Sequence, residues 1–129
     1  MAPEPLDEHE RAALRTELAE ERARVADQVA GLDRTFRELV DAADLEPPDD
    51  EHDPDGTTAY ERAQVSSLAR AARAQLADLD RSLAEVDDAA FGACASCGRP
   101  IGLERLRAVP GTRTCIACAA TRGADPDLG

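Results

Sequence analysis

The sequence contains no tryptophan, no lysine and only three aromatic side chains, Phe36, Tyr60 and Phe91, among its 129 residues. Leu, Ile, Val and Phe together number 23, whereas alanine alone accounts for 26. Together with a net charge of −12, this composition is common in disordered chains and cannot fill the thick core of a large enzyme domain. Ala, Leu, Arg and Glu are strong helix formers, however, and a coiled coil needs only an apolar seam. The composition therefore favours an elongated helical protein.

Long apolar runs are absent as well. No segment approaches the unbroken apolar stretch of a membrane span. Residues 1–5 have neither the basic patch nor the apolar stretch of a signal peptide. We therefore expect a cytoplasmic protein without a membrane partner, in a compartment where thiols are kept reduced.

Charge is distributed unevenly along the chain. Residues 1–90 carry 24 acids against ten arginines, whereas residues 91–122 carry five arginines against one acid. A body this acidic repels phosphate backbones, so we expect no direct binding of DNA or RNA. A positively charged protein surface is the better candidate partner.

A heptad-like seam predicts the first helix. Apolar residues recur at alternating steps of three and four, with Arg22 as one polar interruption. Asp7 and Glu10 form a variant of the capping box, and Pro47 prevents the helix from continuing. The helix is predicted over about residues 7 to 44. Its seam residues are Leu18, Val25, Val29, Leu32, Phe36, Leu39 and Ala43.

A second seam predicts a second helix of similar length. Two steps of four residues follow each other, from Leu68 to Ala72 and from Ala72 to Leu76, so we expect a small slip in register there. Thr58 and Glu61 form a capping box that predicts the start, and Gly92 fits a left-handed residue at the end. The seam residues are Val65, Leu68, Ala72, Leu76, Leu79, Leu83, Val86 and Ala90.

Neither helix can bury its seam alone. Two matched seams with a short connection predict an antiparallel helical hairpin over residues 1–90, with a tip loop at residues 45–57. The alternative is that the seams pair between chains and form a dimer. We favour the hairpin, and a monomer, because the connection is just long enough to turn back.

The connection is unusually acidic. Residues 41–55 contain eight acids and no arginine. The simplest interpretation is a solvated turn. A calcium loop is a weak alternative, because position twelve would be Arg62 instead of a bidentate Glu. The third interpretation is a functional tip, for which the candidate contact residues are Glu51, Asp53, Asp55 and Gly56.

All four cysteines lie within 25 residues. They form two Cys-x-x-Cys pairs separated by seventeen residues: Cys94, Cys97, Cys115 and Cys118. Two such turns can supply four thiolates at tetrahedral corners, which is the ligand set of structural Zn²⁺. Gly98 follows the first pair, where the turn often needs a positive φ. One structural zinc per chain is therefore predicted, and metal binding would supply folding energy to this small module.

Other uses of the cysteines fit less well. Paired disulfides suit a secreted protein, a redox dithiol explains only one pair, and an iron site demands more burial than this chain offers. A site with four protein ligands activates no water. No other catalytic constellation is present in the sequence, so we predict a protein that is not an enzyme.

The cysteine module resembles the C4 zinc finger of the DksA/TraR family. The resemblance rests on Phe91-Gly92-x-Cys94-x-x-Cys97-Gly98-x-x-Ile101, on Arg105-Leu106-x-Ala108-x-Pro110, and on Cys115-Ile116-x-Cys118. The upstream acidic coiled coil also fits the family. The resemblance implies a bacterial transcription regulator that binds RNA polymerase directly, with its coiled coil in the secondary channel and its tip near the catalytic centre. An acidic hairpin in a basic channel is electrostatically favourable.

Two features depart from the family pattern. The family's tip motif is Asp-x-x-Asp-x-Ala, whereas here Asp53 and Asp55 are present and Gly56 stands about where the Ala falls. After Cys118 only eleven residues remain, interrupted by Gly123 and Pro126, so no long C-terminal helix is expected. The family often acts together with the alarmone ppGpp, but contacts made by such elements are not assumed for this chain.

The expected fold class is therefore mainly α: a helical hairpin over residues 1–90, a C4 zinc finger over residues 91–122 and a flexible tail over residues 123–129. Two alternative functions remain open. A transcript-cleavage factor shares the hairpin and uses tip acids to hold Mg²⁺ in the polymerase, but ends in a β domain. A zinc-stapled adaptor would bind some other protein.

Overall fold

The chain folds into two long helices followed by two short ones. The computed structural model describes residues 3–45 and 54–123, with the backbone alone described for residues 44, 45, 54–57, 122 and 123. The helices are α1 (Glu8–Leu45), α2 (Pro54–Glu85), α3 (Leu103–Ala108) and α4 (Ile116–Gly123). The predicted fold class, a helical hairpin followed by a small four-cysteine module, is confirmed. Residues 124–129, the rest of the predicted tail, lie outside the described residues.

The start of α1 is fixed by the predicted capping box. The backbone N–H of Glu10 donates to Oδ1 of Asp7 at 2.7 Å, and the N–H of Asp7 donates to Oε1 of Glu10 at 3.1 Å. Two backbone donors that the first helical turn leaves without intrahelical partners are thereby satisfied. The helix begins at Glu8, one residue from the predicted start.

The start of α2 differs from the prediction. The helix begins at Pro54, four residues before the capping box at Thr58. Proline suits the first helical position because its φ is already helical and its missing N–H would have no partner there. The predicted tip loop is therefore shorter than residues 45–57, since both of its ends are helical. The candidate calcium loop runs from Glu51 to Arg62, and most of it, from Pro54 onward, is helical. This helical conformation corrects the calcium-loop alternative.

The end of α2 also differs from the prediction. The helix ends at Glu85, and Ala90, predicted as a seam residue, is an exposed turn residue. The guanidinium of Arg11 donates to the backbone carbonyl of Val86 and, at 3.0 Å, to that of Asp88. An arginine that satisfies carbonyls beyond the last turn replaces further helical hydrogen bonds.

The seam of α2 follows a stricter pattern than the sequence indicated. Ala69 is 3% exposed, whereas Leu68 is 50% exposed. With Ala69 in the seam the steps of four and three alternate without interruption, and the expected slip in register disappears. The assignment of Leu68 was therefore wrong. The corrected seam is Val65, Ala69, Ala72, Leu76, Leu79, Leu83 and Val86.

The chain divides into two compact units. The first comprises Met1–Arg22 with Ala77–Gly129, and the second comprises Ala23–Leu76. The first unit therefore contains the cysteine module together with the beginning of α1 and the end of α2. The boundaries of this unit differ from the predicted domain boundary at residue 90. Whether residues 91–122 fold independently stays a prediction. Buried side chains of the first unit include Leu14, Leu18, Leu79, Val86, Ile101 and Leu106.

The two helices run antiparallel and pair within one chain. In the first unit Arg15 forms an ion pair with Asp87, two residues beyond α2, and Arg22 with Asp80 of α2, so residue numbers rise along α1 as they fall along the segment paired with it. In the second unit the corresponding pair is Asp33 with Arg73. These ion pairs join α1 to α2 within the chain and thus favour the hairpin over the alternative of seams paired between chains.

None of the helices in the described part of the chain is both long enough and apolar enough to cross a membrane.

Candidate metal centre

The first cysteine pair lies in a tight loop closed by backbone hydrogen bonds. The N–H of Cys94 donates to the carbonyl of Arg99 at 2.7 Å, and the N–H of Gly98 donates back to the carbonyl of Cys94 at 2.9 Å. An isolated antiparallel bridge joins Ala93 to Pro100. Gly98 has φ of +77°, as predicted, which an L-residue rarely adopts. This loop, residues 93–100, is called the first knuckle below.

The second pair lies at the start of α4. Cys115 immediately precedes the helix, and Cys118 follows within its first turn. The N–H of Ala119 donates to the carbonyl of Cys115 at 2.9 Å, so the pair is held by helical geometry. A backbone hydrogen bond of 2.8 Å, from the N–H of Ala95 to the carbonyl of Arg113, joins the segments that contain the two cysteine pairs.

The four sulfurs converge on one point. All four Sγ atoms lie within 4.8 Å of one another, and those of Cys97 and Cys115 are 3.8 Å apart. A tetrahedron with Zn–S bonds of about 2.3 Å has edges of about 3.8 Å, so this spacing fits zinc. Four thiolates fill that tetrahedron and leave no position for water. The residues are therefore positioned to hold one structural zinc ion.

Backbone donors favour the ionised form of Cys94. The N–H groups of Cys115 and Ser96 each lie 3.4 Å from its sulfur. The hydrogen bond from Cys115 is the largest cause that lowers the pKa of the Cys94 thiol, to about 6. By contrast, hydrogen bonding with the neighbouring thiols, Cys115 first, raises the pKa of Cys118 to about 12. Four close thiolates are thus unfavourable unless a cation joins them.

Arginines of the module engage the acidic hairpin. The Nε atom of Arg107 lies 2.9 Å from Oε1 of Glu17, and Arg113 lies 3.5 Å from a carboxylate oxygen of Glu85. Arg105 donates to the carbonyl of Thr114 instead. The predicted charge contrast between residues 1–90 and 91–122 therefore has a structural use, because it attaches the module to α1 and α2.

The structure describes no side chain of the predicted tip residues. Glu51 and Asp53 lie outside the described residues, and Asp55 and Gly56 belong to the first turn of α2, where the backbone alone is described. The structure therefore adds no contact for these four residues.

Sequence reasoning missed the part of the N-terminus that contacts the module. Leu6 packs against Gly92, and Pro3 lies against Gly102. Both contacts join residues that are far apart in the sequence and involve glycines, so hydrophobic periodicity does not predict them. The one available signal was the set of glycines around the cysteines, two of which have φ above +90° at these contacts.

The fold and the four sulfurs define a C4 zinc-finger protein built on a helical hairpin. A family model described as the prokaryotic dksA/traR C4-type zinc finger matches residues 89–122. An uncharacterized protein of Aquifex aeolicus (strain VF5) is 30% identical over 102 residues, which cover 79% of this chain and 68% of that protein. The chain belongs to the DksA/TraR C4-type zinc finger family.

Two further similarities are informative about fold and sequence. The RNA polymerase-binding transcription factor DksA of Escherichia coli (strain K12) is 45% identical over 40 residues, or 31% of this chain and 26% of that protein. The match thus spans about a quarter of the length of DksA. The structure of transcription factor DksA2 from Pseudomonas aeruginosa superimposes with a TM-score of 0.76 at 23% identity, covering 92% of this chain and 86% of that one. The second similarity concerns the fold alone.

Proposed function

We propose that this chain is a bacterial transcription regulator that binds RNA polymerase directly. The observation that carries the proposal is the 45% identity over 40 residues to the RNA polymerase-binding transcription factor DksA. The fold shared with DksA2 over 92% of the chain, at a TM-score of 0.76, supports it. The chain is proposed to act as a cytoplasmic monomer without contacting DNA.

The hairpin is proposed to enter the secondary channel of the polymerase with its acidic end. Residues 41–55 carry eight acids and no arginine, and complementary charge favours entry into a basic channel. The proposed contacts at the tip are Glu51, Asp53, Asp55 and Gly56. Their role in changing open-complex stability rests on the family resemblance and on this charge.

The zinc site is proposed to be structural, and the protein to be a regulator without enzymatic activity of its own. Four thiolates leave zinc no open position, so metal-assisted hydrolysis has no place to occur there. The zinc finger would instead hold the beginning of α1 and the end of α2 through pairs such as Arg107 with Glu17.

The decisive experiment measures binding of the zinc-loaded protein to the core RNA polymerase of its own organism. A fluorescent label and a titration with polymerase should give saturable binding that weakens with salt, because charged surfaces are involved. Absence of saturable binding would overturn the proposal. Adding the protein to backtracked elongation complexes provides a second readout. We expect no RNA cleavage there, and cleavage would favour the transcript-cleavage alternative.

A further inference from the structure

The first residues of the described chain lie on the zinc finger. Pro3 is so close to Gly102 that a Cβ on that glycine would lie 2.7 Å from the Cβ of Pro3. Leu6 is half-buried, and its Cδ1 would lie 3.6 Å from a Cβ on Gly92. Residues 3–6, called the N-terminal strap below, thus meet the module at two points.

The two points flank the base of the first knuckle. Gly92 precedes it and Gly102 follows it, and the N–H of Ile101 donates to the carbonyl of Gly92 at 2.7 Å. Both glycines have positive φ, +91° and +96°. The surface that the strap contacts therefore exists only while the backbone around the first knuckle keeps this conformation.

A bound metal would maintain that conformation. The first knuckle supplies two of the four sulfurs, and a module this small folds largely with the free energy of metal binding. The strap itself contributes little to α1, because the capping box of Asp7 and Glu10 begins the helix after the strap has ended. Loss of the metal would thus remove the strap's support without unwinding the start of α1.

We propose that the N-terminal strap docks on the zinc finger in a zinc-dependent manner, so that metal occupancy decides whether residues 3–6 are held or released. The coupling is reciprocal, since a segment that binds only the metal-folded module must also raise its zinc affinity. This proposal does not depend on binding to RNA polymerase.

The first test compares the zinc-loaded full chain with the same protein after chelation, by ¹⁵N relaxation. We expect the order parameter of the Leu6 amide to fall from about 0.85 to below about 0.6 when zinc is removed. The amide of Leu32, in the middle of α1, serves as the internal reference and should not change. An equal order parameter for Leu6 in both states, at any value, would overturn the proposal.

The second test uses two glycine variants, each at a position with positive φ. Gly102→Ala places a Cβ against Pro3, whereas Gly98→Ala also puts an L-residue at positive φ but has no atom within 4 Å of the new Cβ. With one zinc per chain in each variant, Gly102→Ala should mobilise Leu6 and Gly98→Ala should not. Equal mobility of Leu6 in both zinc-loaded variants contradicts the proposal.

A third test changes the strap and leaves the module intact, and so remains informative if Gly102→Ala does not hold zinc. Pro3→Gly with Leu6→Ala removes both contacts. In competition with a chromophoric chelator, the zinc dissociation constant of this double variant should rise at least about fivefold, the lower end of typical coupling between sites. An unchanged dissociation constant would show that the strap and the metal are not coupled.

Discussion

The Nε atom of Arg107 lies 2.9 Å from Oε1 of Glu17, and this ion pair joins α3 of the zinc finger to α1. The two side chains are 46% and 44% exposed. Exposed ion pairs contribute about 0.2–1 kcal/mol, so we expect a coupling free energy in that range from a double-mutant cycle with Arg107→Gln and Glu17→Gln. The measurement is urea unfolding of the zinc-loaded protein.

Salt provides the control for this pair. At about 1 M NaCl the Debye length falls to about 3 Å, so the coupling should decrease markedly. The longer pair of Arg113 with Glu85, at 3.5 Å, should give a smaller coupling under the same conditions. A coupling that does not respond to salt would show that the interaction is not mainly electrostatic.

Two leucines of α2 should respond very differently to truncation. Leu79 is fully buried, so Leu79→Ala should lower the free energy of unfolding by about 2–5 kcal/mol. Leu68 is 50% exposed, and Leu68→Ala should change it by no more than about 0.5 kcal/mol. Urea denaturation followed by far-ultraviolet circular dichroism measures both. A large loss for Leu68→Ala would restore its predicted place in the seam.

This pair also shows what the sequence could and could not predict about the fold. Two helices with a capping box at Asp7 followed from local chemistry, because period and capping depend on residues a few positions apart. Local chemistry did not decide between Leu68 and Ala69 as the seam residue, because hydrophobicity favours the larger side chain whereas regular heptad spacing selects the smaller one. Just beyond the end of α2 the carbonyl of Val86 accepts a hydrogen bond from Arg11, more than seventy residues away, and no local pattern indicates this contact.

Removal of zinc should unfold the zinc finger and leave most of the hairpin helical. The short helices α3 and α4 contain six and eight residues, whereas α1 and α2 contain 38 and 32. Chelation, or Cys97→Ser, should therefore reduce the far-ultraviolet helical signal by less than about a fifth, because only the small module depends on metal. Loss of more than half of the signal would show that the hairpin needs the module as well.

Zinc retention should depend on pH in the direction set by Cys94. Its thiol has a pKa of about 6, below the ordinary value, because the N–H of Cys115 stabilises the thiolate. A lowered pKa in the folded state favours folding at high pH, and this contribution is lost as the pH falls through the folded value. We expect zinc to remain bound at pH 7.5 and to be released as the pH falls toward about 4, since protons compete for the sulfurs.

Elemental analysis after rapid desalting at each pH measures the bound zinc. Release that is already complete at pH 7 would contradict the stabilised thiolate of Cys94. Retention of all zinc at pH 4 would show that proton competition at these sulfurs is weaker than the geometry of the site indicates.

The metal centre was far more predictable than the surface around it. Two Cys-x-x-Cys pairs and Gly98 encode the site locally, so spacing alone indicated the ligands. The contacts of Pro3 and Leu6 with glycines of the module depend on how distant segments meet, and no periodicity reports them. The only sequence feature that indicated the pairing of Arg107 with Glu17 was the charge contrast between residues 1–90 and residues 91–122.

The tip should act through its charge rather than through the stability of the fold. Asp53→Asn with Asp55→Asn keeps the size of both side chains and removes two negative charges. We expect the free energy of unfolding to change by no more than about 1 kcal/mol, the usual size of a charge's interaction with a helix N-terminus such as the first turn of α2, which contains Asp55. Under the proposed function, affinity for polymerase should fall modestly, and the effect on open-complex lifetime should fall much more.

A matched variant separates the position of the charges from their number. Glu20→Gln with Asp27→Asn also removes two exposed charges, but from α1 at least about 27 Å along the helix from its end at Leu45. Open-complex decay is measured for wild type and both variants at matched polymerase occupancy, so that weaker binding is not mistaken for weaker action. Only the tip variant should lose its effect, because only those charges would approach the catalytic centre. Equal activity of all three proteins at equal occupancy would leave Asp53 and Asp55 as solvating residues and would contradict the proposed role of the tip.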